Sequence, residues 1–199
     1  MSTIKHKEQR VAVFIDAQNL YHTAKNLFGH KVNFGKIVED ALAGRKLVRA
    51  IAYVIASESG EEQGFFEALN KVGIETKIKG LQVFSGGAKK ADWDVGIAVD
   101  AITLAPKIDA AILLSGDGDF IPMVRYLQIH SGIQVEVASF GRSSSQKLVE
   151  ACDNFMDLAE HPEKYLIGFR PRRRSAKKTG AKPANPEGNV TISKAVPKD

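Results

Sequence analysis

LLSGDGDF (residues 113–120) sets two aspartates among glycines at the end of an apolar run. Leu113 and Leu114 close the stretch IDAAILLS (108–115), whose aliphatic composition fits a strand buried on both faces. Asp117 and Asp119 follow at once. A second stretch, VAVFIDAQN (11–19), repeats the arrangement as an apolar run stopped by Asp16. Around these two, extended and helical patterns alternate. KLVRAIAYVIA (46–56) reads as a strand, and IQVEVAS (133–139) as a last core strand. IETKIKGLQVF (74–84) is extended, with Gly80 bending it or separating two strands. Helices are predicted over 18–28, 34–43, 61–73, 92–106 (stopped by Pro106), 120–131 and 144–151. Strands alternating with helices imply a three-layer α/β/α fold around a parallel sheet, in one domain spanning 10–168.

Composition bounds what such a domain can do. The 199 residues, 44% of them apolar, suffice for a sizeable core. A single cysteine, Cys152, rules out an intramolecular disulfide and suits a reducing cytoplasm; it reads as a small buried hydrophobe. The opening MSTIKHKEQR is polar, and no apolar run is long enough to cross a bilayer, so no membrane association is expected. Charge is unevenly placed. Residues 170–199 carry nine Lys/Arg, four of them in RPRRR (170–174), against two acids, while the rest of the chain is slightly acidic. This tail is low in apolar residues and is expected to be disordered, with its charge suited to an anionic partner.

In an open parallel sheet, ligands bind beyond the carboxyl ends of the strands, where strand order reverses. Asp16 and Asp117 both project from that edge. They meet only if the strands that carry them are neighbours. Asp94, at the start of the helix 92–106, reaches the same rim if the segment before it returns there. Several carboxylates in one cup repel unless a cation joins them. An all-oxygen donor set suits Mg²⁺ or Mn²⁺, and such an ion can polarise a phosphodiester and lower the pKa of an attacking water. Each acid also has a structural role open to it. Asp16 can cap the next helix, Asp119 can cap the helix beginning near Phe120, and Asp92 and Asp94 sit where a helix dipole favours acids. Gly116 and Gly118 serve as turn residues or allow a ligand to approach the backbone. His22 is placed either facing the site or on the helix surface. GDGD lacks the later ligands of an EF-hand loop, and neither a P-loop nor a GxGxxG turn is present.

FIDAQN, DWDVGIAVDAI and LLSGDGDF, in this order, resemble the NYN domains of the PIN-like nuclease superfamily, and in particular their LabA-like branch, over roughly residues 10–160. The resemblance implies a sheet ordered 3-2-1-4-5, with the first and fourth strands adjacent. It also implies that Asp16, Asp94, Asp117 and Asp119 bind metal and catalyse. Asn19 and Ser115 would be polar contacts to substrate, and Glu61, Glu62 or Glu67 could complete the acidic set. Asp100 matches a family acid. Six residues beyond Asp94, however, it lies about 240° around the helix, and the two cannot share a face.

The expected function is therefore a Mg²⁺- or Mn²⁺-dependent ribonuclease acting on single-stranded RNA, with Lys89, Lys90 and the tail attracting the strand. A non-catalytic RNA-binding or regulatory module and a flap-type DNA nuclease are the alternatives. Whether the chain forms a homodimer is left open by the sequence.

Overall fold

The computed structural model describes residues 3–56, 63–80, 82–83, 89–90 and 92–170. The basic tail beyond Arg170, together with Glu61 and Glu62, lies outside these residues. So do the side chains of Lys89 and Lys90.

Strand β1 spans Arg10–Asp16, and helices α1 (Ala17–Phe28) and α2 (Phe34–Leu42) follow it. The chain continues through β2 (Lys46–Ala56), α3 (Gln63–Lys71) and β3 (Glu75–Gly80). The second half contains α4 (Asp94–Leu104), β4 (Ala110–Leu114), α5 (Ile121–Ile129), β5 (Gln134–Ser139), α6 (Gln146–Ala151) and β6 (Asn154–Asp157). The six strands form one sheet in the order β3-β2-β1-β4-β5-β6, and every pairing is parallel. Winding therefore runs one way from β1 through β3 and the other way from β4 through β6. The reversal falls between β1 and β4.

Period-two alternation in the buried strands divides the core. Val11, Val13 and Ile15 of β1 pack with Leu20, Ile37 and Phe66 on the α1–α3 face. Ala12 and Phe14 pack with Ile97, Val124 and Leu148 on the α4–α6 face. With both faces covered, the central strands read as unbroken apolar runs.

The structure differs from the sequence expectations at two places. Helix 92–106 is shorter, Asp94–Leu104, and Pro106 sits within a following 3₁₀ turn, Ala105–Lys107. Proline is tolerated in a first turn, where its missing N–H has no intrahelical partner. Strand β6 has no counterpart among the sequence expectations, because NFMD is short, half-buried and lacks an apolar run. It is an edge strand, tied down by the Asp157 carboxylate, which accepts from the backbone N–H groups of Gly141 (2.9 Å) and Ala159 (2.8 Å). Of the two readings of Gly80, the structure has the one in which it separates two strands: β3 ends at Gly80, and Gln82–Val83 pairs antiparallel with Lys89–Lys90.

At the amino edge of the sheet, the fold buries an ion pair. The Arg45 guanidinium donates to Glu136 on β5 at 2.5 Å, and both side chains are almost wholly enclosed. Arg45 also donates to the carbonyls of Ala41 and Leu42, capping the carboxyl end of α2. Lys5 and Gln134 fill the remaining acceptor positions of Glu136.

Candidate metal centre

The reversal point brings the carboxylates together. Ile15 pairs with Leu114, so Asp16 and Ser115 emerge side by side at the rim. Helix α4 opens on this rim with Asp94, and the turn after β4 supplies Asp117 and Asp119. One oxygen from each of Asp94, Asp117 and Asp119 lies within 4.8 Å of the other two. Oxygens on opposite sides of a hydrated Mg²⁺ stand about 4.2 Å apart, so three oxygens gathered within this limit are near enough to share a small cation. The donors are all carboxylate oxygens, which suit such an ion. The three groups are half-buried or exposed, so an ion held there would be open to water or substrate.

Asp16 stands beside this trio. One carboxylate oxygen accepts from the Asn19 N–H (3.1 Å), capping α1, and the other accepts from the Ser115 hydroxyl (3.2 Å). Burial raises its pKa, these two hydrogen bonds oppose the shift, and the charges of Asp94 and Asp117 add to the rise. Like charge on those two acids thus reaches Asp16, and a cation would relieve it.

The loop is built from its own polar groups. Ser115 is fully buried, and its hydroxyl accepts from the Asp117 N–H at 3.2 Å while donating to Asp16. In this arrangement it braces two acids. Asn19 accepts from the Gly116 N–H at 3.0 Å, locking α1 to the same turn. The cap expected from Asp119 falls to Asp117, whose carboxylate accepts from the Asp119 N–H at 2.9 Å over the 3₁₀ turn Gly118–Phe120. That turn delays α5, which starts only at Ile121, too far on for Asp119 to cap.

The glycines answer to a packing partner. A Cβ on Gly116 would come within 3.1 Å of the Ser144 backbone, and one on Gly118 within 2.8 Å of the Ser145 hydroxyl. The segment Ser143–Ser145, after β5, therefore presses against the acidic turn, and the Ser145 N–H donates to the Gly116 carbonyl at 2.9 Å. No motif in the sequence marks this segment. Its one signal is position, since FGRSSS (140–145) follows a core strand at the same carboxyl edge.

Trp93 sets the start of α4. Its indole N–H donates to the Val54 carbonyl at 2.9 Å, and its ring meets Tyr53 edge-on at 5.4 Å. The ring lies over Gly96, where a Cβ would stand 2.6 Å from it. Gly96→Ala should therefore displace the indole and cost about 1–3 kcal/mol. Trp93 is the sole tryptophan, so its emission reports the movement directly; an unchanged spectrum and unfolding midpoint would refute this role.

Asp100 points elsewhere. It accepts from the Tyr53 hydroxyl (2.5 Å) and the Lys77 ammonium (2.6 Å), fastening α4 to β2 and β3. Burial pushes its pKa up, but Lys77 and Tyr53 outweigh that and hold it below the ordinary value. Glu67, on α3, is exposed and outside the acidic trio. Cys152 is half-buried, and burial raises its thiol pKa, as expected of a packing residue.

The signature of the NYN domain matches residues 10–159. The chain belongs to the NYN domain family. It is similar to the low amplitude and bright protein LabA of Synechococcus elongatus, 29% identical over 164 residues that cover 76% of this chain and 85% of that one. It is also similar to a crystal structure of a protein of unknown function from Vibrio parahaemolyticus. That likeness has 33% identity and a TM-score of 0.74, covering 83% of this chain and all of the other. The acidic cup, with Asp16, Asp94, Asp117 and Asp119, lies wholly within the NYN match. No helix among the described residues is long and apolar enough to cross a membrane.

Proposed function

We propose that this NYN domain is a ribonuclease that hydrolyses phosphodiester bonds of single-stranded RNA, with Mg²⁺ or Mn²⁺ held by Asp94, Asp117 and Asp119 and supported by Asp16. The observation that carries this reading is the convergence of three carboxylate oxygens within 4.8 Å at the sheet's reversal point. Structural roles for single acids do not account for it. Asp117 caps a turn and Asp94 opens a helix, yet neither role requires the two to face each other or Asp119.

A bound ion supplies charge neutralisation at the phosphate and a more acidic water. The chain's own groups do the positioning. Ser115 ties Asp16 to the Asp117 backbone, so the acids on β1 and after β4 keep a fixed separation. Asn19 holds Gly116 and with it the start of the turn. Fixed donors cost little reorganisation during reaction.

The deciding experiment incubates the purified full chain with labelled single-stranded RNA and DNA in Mn²⁺, Mg²⁺ or EDTA. Metal-dependent cleavage of RNA is expected, with none in EDTA. RNA that is bound but left intact under every metal condition would assign a non-catalytic binding module instead. Equal cleavage of DNA would assign a general nuclease.

The basic tail should govern affinity and not turnover. It carries nine Lys/Arg and none of the proposed ligands. Truncation after Phe169 is expected to weaken RNA binding and flatten its salt dependence, by about 0.7 in log–log slope for each phosphate that the tail had neutralised. Single-turnover cleavage at saturating RNA should stay the same. An unchanged salt slope would exclude tail–RNA contact, and a collapsed saturating rate would place the tail in the chemistry.

A further inference from the structure

A cleft of about 490 Å³ opens on the α1–α3 side of the acidic rim. Its lining includes Ala17 and Gln18, the two residues that follow Asp16 in the chain, so it opens beside the end of β1 that carries this acid. Tyr21 and His22 on α1 form one wall, and Phe65 on α3 forms another. Val54, Phe34 and Phe66, all buried, make the floor. Tyr21 is 38% exposed and Phe65 is half-buried, so aromatic surface remains open to a ligand.

We infer that this cleft receives one nucleobase of the RNA strand, next to the phosphate held at the acidic cup. The inference rests on the ribonuclease reading. Two features favour a base over a lipid chain or an apolar peptide. Aromatic rings stand on more than one side of the cleft, an arrangement that suits stacking on a flat ring and tolerates any base. Cations accompany them: Lys31 lines the cleft, and the Lys25 ammonium lies 5.7 Å from the Tyr21 ring. The acids repel a polyanion wherever no metal intervenes, so attraction for the strand on this side falls to these lysines. The Gln18 amide, with both a donor and an acceptor, adds a contact to base edges at the entrance.

The test couples the protein wall to a single nucleotide. A short RNA and a series bearing one abasic site at each position are bound to the full chain and to Tyr21→Ala. Binding is measured with Mn²⁺ in the interval before cleavage proceeds, and cleavage is followed in parallel. Phe65→Ala serves as the second variant. Removing one particular base should weaken binding roughly five- to a hundredfold, and Tyr21→Ala should do the same for intact RNA. Combined, the two changes should cost no more than either alone, because they remove one interaction. Independent, multiplying effects at every position would overturn the inference, even if RNA is cleaved and the ribonuclease reading stands. So would a shift in oligomeric state of Tyr21→Ala with no abasic dependence, which would assign the cleft to a second copy. Coupling without cleavage would keep the base site and remove the nuclease. Neither binding nor cleavage of RNA would remove both.

Discussion

Asp117→Asn is expected to lower single-turnover RNA cleavage more than about a hundredfold while leaving the fold intact. Even outer-shell partners of a metal cost ten- to a hundredfold when removed, and Asp117 would be a direct ligand. The fold should survive because the amide oxygen of asparagine can still accept from the Asp119 N–H, preserving the cap on the 3₁₀ turn. Removing one of four neighbouring negative charges should also relieve repulsion, so the metal-free variant is expected to unfold no earlier than the parent. The measurements are single-turnover cleavage with Mn²⁺ and a thermal unfolding curve in EDTA. Full activity in the folded variant would end the proposed role of Asp117. Loss of activity with a large drop in the unfolding midpoint would show that the residue serves the turn alone.

Glu136→Ala is expected to destabilise the domain by about 3–5 kcal/mol, the usual cost of leaving one member of a buried ion pair uncompensated. The Arg45 side chain is 0% exposed. Without Glu136 its buried charge keeps the carbonyls of Ala41 and Leu42 as its partners among the described residues. The neighbouring Lys5 is 29% exposed and can turn toward solvent. The double variant Arg45→Met, Glu136→Leu should recover much of the loss, because apolar side chains of similar volume avoid desolvating charge. Denaturant unfolding of both single variants and the double one closes a thermodynamic cycle. Strictly additive losses would show that the pair does not act as a unit. The site lies at the opposite edge of the sheet from the acids, so metal-dependent cleavage by the folded double variant should match the parent.

Four apolar runs carry most of the fold in their sequence. VAVFI, KLVRAIAYVIA, AAILL and IQVEVAS are rich in β-branched and aliphatic residues, which suits strands covered on both faces, and helical patterns separate them. That much is local. NFMD escapes such a reading because an edge strand needs no apolar run; it is held by Asp157, a contact between residues sixteen apart. Ser115, Asn19 and Asp16 are each legible singly, but their joint geometry is a tertiary fact. Asn19 reaches Gly116 across 97 positions, and Ser115 reaches Asp16 across 99.

Residue chemistry by itself pointed to several carboxylates at strand ends and helix starts, a donor set that suits hard cations. It could not fix how many would meet. The placement of β1 beside β4, the short turn that moves capping from Asp119 to Asp117, and the anchoring of the start of α4 by Trp93 bring Asp94, Asp117 and Asp119 together with Asp16 alongside. The same packing turned Asp100 away toward Lys77 and Tyr53. Side-chain identity sets which contacts are favourable; the sheet's order of neighbours and the helix seating set which of them can form at once. For acids drawn from three separate elements, that second condition exists only in the folded chain.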